Sequence, residues 1–131
     1  ARGIFYFPAS VRRDAFRFDA APPEIVAEMV RQNALIRKAG RTLQGPLNPS
    51  GIQVSADAPL EVGWRLLNGE ATVIVVNPTR SPAANAKITI NGVTGEARSL
   101  SDDRRVPLAN GVMRESVEPL GVRVFVLKVG G

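Results

Sequence analysis

The chain has no cysteine and no histidine. The first absence excludes a disulfide framework and a thiolate site. The second removes the commonest general base and the commonest transition-metal ligand. Without histidine no Ser-His-Asp triad can form, and no serine here sits in a nucleophile-elbow context. No apolar run approaches the roughly 18 residues of a membrane-spanning helix, so a membrane is not an expected partner. The N-terminus shows no charged segment followed by an apolar stretch of signal-peptide length, and the compartment is left unassigned. Gly3, Gly40 and Gly45 lack the spacing of a phosphate-cradling loop. Asp14 and Asp19 are too sparse for a calcium loop. No metal and no cofactor are expected.

Aromatic residues are scarce beyond the first 18 positions. Phe5, Tyr6, Phe7, Phe16 and Phe18 lie before that point, and only Trp64 and Phe125 after it. Two kinds of structure are therefore joined in 131 residues. The net charge of +5 is also uneven, with 8 Lys/Arg against 4 Asp/Glu in residues 1–50. The arginines are scattered among aromatics and helix positions rather than gathered in a run. Nucleic acid is accordingly not an expected partner.

What is present begins with Gly3-Ile4-Phe5-Tyr6-Phe7-Pro8, the most apolar and aromatic run of the chain. Bulky residues on both faces suit a parallel strand covered on both sides. Residues 9–21 read as a loop. A helix is expected from Pro22/Pro23 to Ala39, because a proline at the start forgoes an N–H that would be unpaired anyway. Glu24 and Glu28 favour its N-terminal end and Arg37 and Lys38 its C-terminal end, and Gly40 is a good stop. Ile25, Met29 and Ile36, flanked by Val26, Val30 and Leu35, make one apolar stripe that needs a surface to pack on. The segment 44–51, with two Pro, two Gly, Asn and Ser, reads as a linker.

Beyond it the period changes. Strands are expected at 52–55, 61–67, 71–77, 86–91, 95–100, 112–117 and 122–129. Asn68-Gly69, Asn91-Gly92 and Asn110-Gly111 mark reversals. About seven short strands without a helix predict an antiparallel, immunoglobulin-like β-sandwich. The domains are thus residues 1–45, a strand–loop–helix segment, and 46–131, the sandwich.

Candidate chemistry is sparse. Asp102 and Asp103 are adjacent, so on an extended chain they point to opposite faces, and an exposed turn is the simpler reading. Glu115 and Glu118 flank a strand end. Two carboxylates can serve glycoside hydrolysis, but nothing in the sequence gathers two of them in a pocket. Trp64 is either a sugar-stacking platform or a core residue.

The order of parts resembles the C-terminal end of retaining glycoside hydrolases in which a (β/α)8 barrel is followed by a β-sandwich. ARGIFYFP (1–8) looks like the last barrel strand, and PPEIVAEMVRQNALIRKAGRTL (22–43) like the helix after it. EVGWRLLNGEATVIVVNPTRSPAANAKITI (61–90) is similar to the opening of the family's sandwich, with its strand, NG turn and apolar strand ending in Asn-Pro. ESVEPLGVRVFVL (115–127) is similar to its closing strand, with Leu120 where an aromatic is usual and Arg123 where many members have histidine.

The resemblance implies that the catalytic carboxylates belong to earlier barrel strands. This chain would then be a non-catalytic portion that braces the barrel and assists glycan binding or assembly. Its expected partners are the catalytic barrel, in the same or a companion polypeptide, and a carbohydrate. Loops at the C-terminal ends of barrel strands face the active site. Pro8, Ala9, Ser10, Arg12 and Arg13 therefore either line a substrate cleft or shape its rim. The competing expectation is a stand-alone immunoglobulin- or fibronectin-like binding or adhesion module.

Overall fold

The computed structural model describes residues 10–11, 16–17, 23–93 and 95–129. The chain divides into two compact units, Ala1–Arg37 and Lys38–Gly131. The expected strand at 3–8 lies outside the described residues.

In the first unit β1 (Ser10–Val11) pairs antiparallel with β2 (Phe16–Arg17), placing Ser10 opposite Arg17 and Val11 opposite Phe16. Both fall in the span read as loop. Two-residue strands are too short for alternation to register in sequence. Helix α1 (Pro23–Ala39) starts and stops where the sequence places it. Gly40 takes φ +63°, the left-handed conformation that ends a helix cheaply in glycine. On its polar side Glu28 accepts from Arg31 at 2.7 and 2.9 Å and from Gln32 at 2.7 Å. Those contacts, Arg31 foremost, lower the Glu28 carboxyl to about 2. The apolar side is only partly buried: Met29, Leu35 and Ile36 are half-buried, whereas Ile25, Val26 and Val30 are 51, 45 and 64% exposed.

The second unit is a mainly β structure of two antiparallel sheets. Its strands are β3 (Gln53–Ala56), β4 (Glu61–Leu67), β5 (Glu70–Val76), β6 (Ala83–Asn91), β7 (Gly95–Ser99), β8 (Arg105–Leu108), β9 (Val112–Val117) and β10 (Val122–Lys128). One sheet has the order β4-β5-β10-β7-β8 and the other β3-β6-β9. The β4–β5 hairpin closes on Asn68 and Gly69, both at positive φ, with Leu67 opposite Glu70. That is the two-residue turn whose twist matches the strands it joins. Asn110-Gly111 makes a second such turn between Ala109 and Val112, but this one takes the chain from one sheet to the other. Asn91-Gly92 likewise marks a passage between sheets rather than a hairpin.

Alternation decides which side chains meet between the sheets. Val54, Ile88, Ile90, Met113 and Val117 come from the three-stranded sheet. Trp64, Ala71, Val73, Val75, Ala97, Val106, Phe125 and Leu127 come from the five-stranded one. Phe125 is fully buried, and a side chain of that size stabilises by about 1.5–3 kcal/mol. β8 is the strand the sequence reading omits. Pro107 argues against a ladder position there, yet β8 is an edge strand, where proline is tolerated.

The segment read as a linker at 44–51 belongs to the sandwich unit, since the units divide at Arg37/Lys38. A 3-10 helix (Gly40–Gln44) packs against β4 and β5. The Arg65 guanidinium then donates to the Gly45 carbonyl at 2.8 Å, and Leu47 bridges to Arg65. Asn48 N–H donates to the Trp64 carbonyl at 2.7 Å, and Trp64 N–H donates to Asn48 Oδ1 at 2.9 Å. The chain thus wraps the free edge of β4 and occupies its backbone groups. Unpaired edge groups invite aggregation, so this wrap is protective. Its prolines and glycines serve tight passage around an edge.

Candidate functional site

Of the residues expected near a substrate cleft, Pro8, Ala9, Arg12 and Arg13 lie outside the described residues. Ser10 lies in β1, its backbone opposite Arg17. Trp64 is part of the core. It is 9% exposed, and its indole N–H donates to the Pro49 carbonyl at 3.0 Å. A sugar-stacking platform needs an open ring face, and Trp64 does not present one. Its place in the core cluster between the sheets is the reason.

Carboxylates do gather at one place, the turn between β7 and β8. Asp102 accepts from Arg104 Nε at 2.6 Å, and Arg123 lies 3.8 Å from the same oxygen. The same Arg104 reaches Glu115 on β9, donating from one terminal nitrogen to both carboxylate oxygens at 3.0 and 3.2 Å. Glu115 is buried, its side chain only 5% exposed, because alternation on β9 aims it inward between Met113 and Val117. Lys38 donates to the Leu100 carbonyl and to Asp103, both at 3.3 Å. Asp102 and Asp103 thus face different partners, as adjacent positions in an exposed turn should.

This cluster is a set of mutually neutralised ion pairs. The hydrogen bond from Arg104 lowers the Asp102 carboxyl to about 2. A group held there is ionised at neutral pH and cannot act as a general acid. Glu115 is engaged on both oxygens by the same guanidinium. The chemistry the cluster supports is structural: it ties the β7–β8 turn to β9 across the two sheets. Among the described residues no group of three or more His, Cys, Asp or Glu is arranged to hold a metal ion.

A second feature escapes the sequence reading. A groove of about 630 Å³ runs along the outer face of the five-stranded sheet. Glu70, Glu96, Arg98, Arg105, Val126 and Lys128 line it. Register brings them together: Arg98 stands opposite both Val126 and Arg105, and Lys128 opposite Glu70. Arg105 donates to Glu96 at 2.8 Å. With β8 unrecognised, no sequence signal links Arg105 to Arg98. The available signal is the alternation of Arg105-Val106-Pro107-Leu108, four residues with a proline among them.

No protein-family model matches the sequence, and comparison with curated proteins finds no match. The class defined by the fold is an antiparallel β-sandwich preceded by a helix. Among the described residues it carries no assembled catalytic constellation.

Proposed function

We propose that the chain is the non-catalytic C-terminal portion of a (β/α)8-barrel glycoside hydrolase, whose sandwich braces the catalytic barrel. The observation that carries this reading is the apolar stripe of α1. Ile25, Val26 and Val30 are roughly half exposed or more, on a helix whose polar side is already satisfied by Glu28, Arg31 and Gln32. A one-sided helix of this kind is stabilised by packing rather than by propensity. Full burial of such a side chain stabilises by about 1.5–3 kcal/mol, so covering the exposed half of these three adds about 1 kcal/mol each, which favours a cover of matching apolar surface. The motifs at 1–8, 61–90 and 115–127 supply the kind of cover, a barrel of the glycoside hydrolase type. The ion-paired state of Asp102 and Glu115 supports the same reading, because catalysis must then come from carboxylates elsewhere.

The test has two parts on the 131-residue chain. Native-state hydrogen exchange is expected to show α1 amides exchanging far faster than those of β5 and β10, because its packing partner is missing. A panel of chromogenic glycosides is expected to show no turnover. Hydrolysis by the purified chain would sink the proposal. So would α1 protected as strongly as the core strands, an outcome that favours a self-sufficient binding or adhesion module.

A further inference from the structure

The groove on the outer face of the five-stranded sheet holds an arrangement that stability alone disfavours. Arg98 on β7 and Arg105 on β8 are directly opposite each other in the register, and both are exposed. Directly opposed side chains have Cβ atoms about 4.5–5.5 Å apart, and like charges at that spacing repel. Arg105 is compensated by Glu96, at 2.8 Å. Arg98 has no partner for its guanidinium among the described residues, and the same holds for the Lys128 ammonium. The lining therefore holds three cations against two carboxylates, Glu70 and Glu96. Of these cations only Arg98 stands beside another arginine without an ion pair among the described residues, and its guanidinium is a planar fork suited to an oxyanion.

We propose that this groove binds a glycan bearing an oxyanion, a carboxylate or a sulfate ester, with Arg98 as the principal contact. The choice of a glycan rests on the carbohydrate reading above. The lining itself adds two arguments. The Glu96 carboxylate keeps lone pairs beyond its bond from Arg105 and can accept from sugar hydroxyls, donors that a phosphodiester backbone lacks. Val126, opposite Arg98, offers an apolar floor for the C–H face of a ring. A volume of about 630 Å³ admits more than a lone inorganic ion.

The test is titration calorimetry of the 131-residue chain with four probes: oligogalacturonate, a sulfated oligosaccharide of heparin type, a neutral malto-oligosaccharide and a short DNA duplex. Binding of at least one acidic glycan is expected, with the neutral probe and the duplex at least tenfold weaker. Which acidic probe binds identifies the oxyanion. Arg98→Ala is expected to weaken that binding about tenfold or more, the loss of one charge-assisted contact. Its melting temperature is expected to be equal or higher, since a like-charge pair is relieved. Arg98→Lys, which keeps the charge but not the fork, is expected to fall between. The proposal is overturned if neither acidic glycan binds, if Arg98→Ala leaves binding intact, or if the neutral probe or the duplex binds equally well. None of these failures touches the barrel-bracing reading, which stands on α1 and is tested by exchange and turnover.

Discussion

Asn77 is the residue whose replacement tests the packing of the sandwich most sharply. It follows β5 directly and is fully buried. Its Nδ2 donates to the Ser81 carbonyl at 2.8 Å and to the Val117 carbonyl at 3.2 Å. Its Oδ1 accepts from Thr79 N–H at 3.0 Å and from the Thr79 hydroxyl at 2.7 Å. The orientation is unambiguous, because a backbone N–H only donates and a carbonyl only accepts. The Val117 bond joins the two sheets, since Val117 ends β9. In Asn77→Ala the partners at Thr79 and Ser81 can turn to water, being near the surface. The Val117 carbonyl cannot, and a buried orphan costs about 1–3 kcal/mol. With the neutral bonds added, the loss is on the order of 3 kcal/mol. A domain of this size loses about 4–8 °C of melting temperature per kcal/mol, so a fall on the order of 15 °C is expected. Asn77→Asp is the sharper variant. It keeps the acceptor toward Thr79 but sets a carboxylate oxygen against two carbonyls. It is expected to be worse than alanine at pH 7 and to recover in acid, where the protonated group donates again. Thermal melts of the three proteins at pH 7 and pH 3 decide it. A loss below about 0.5 kcal/mol for alanine, the ordinary surface range, would refute the reasoning. So would an aspartate variant as stable as the parent at pH 7.

Three further outcomes follow from other contacts. Arg104→Ala leaves the buried Glu115 without its partner. Breaking a fully buried pair costs about 3–5 kcal/mol, and because Arg104 is itself 49% exposed the expected loss is about 2 kcal/mol. Adding Glu115→Gln is expected to restore more than half of it in a double-mutant cycle. Gly111→Ala is expected to destabilise by about 2 kcal/mol or more in denaturant unfolding, since φ is +77° and an added Cβ would sit 2.6 Å from the Ile90 carbonyl oxygen. Asp102 carries a depressed carboxyl, about 2 against an ordinary 3.8. Its contribution is therefore present above pH 4 and lost as pH falls through the native value. Comparison of the parent with Asp102→Asn is expected to show the stability difference shrinking between about pH 4 and pH 2.

Much of the sandwich was legible because its code is local. Alternation in Val122-Arg123-Val124-Phe125-Val126-Leu127-Lys128 and the Asn68-Gly69 turn fix β10 and the β4–β5 hairpin without tertiary information. Apart from the two-residue strands β1 and β2, which are too short to show alternation, the departures arise from contacts distant in sequence. β8 is four residues long and contains Pro107, which a ladder tolerates only at an edge such as the one β8 occupies. Residues 44–51 read as a linker because prolines and glycines signal irregular backbone, not what that backbone runs beside. It runs beside Trp64, through Asn48 and Pro49. Trp64 itself is core by its burial among the inward-facing residues. The groove was invisible for a related reason, since the Arg98–Arg105 pair exists only once β7 and β8 are in register. The residues expected at the cleft rim, Ser10 apart, fall outside the described part of the chain.

A sandwich that braces a catalytic barrel, as proposed above, is found in nature together with that barrel. The most direct measurement is recovery of the native polypeptide with an antibody raised against the sandwich, followed by its intact mass and an assay for glycosidase activity. The expected result is a polypeptide several-fold heavier than the 14.0 kDa of this sequence, or a stable complex with a companion chain, and glycoside hydrolysis in the recovered material. A lone 14.0 kDa protein without glycosidase activity would contradict it.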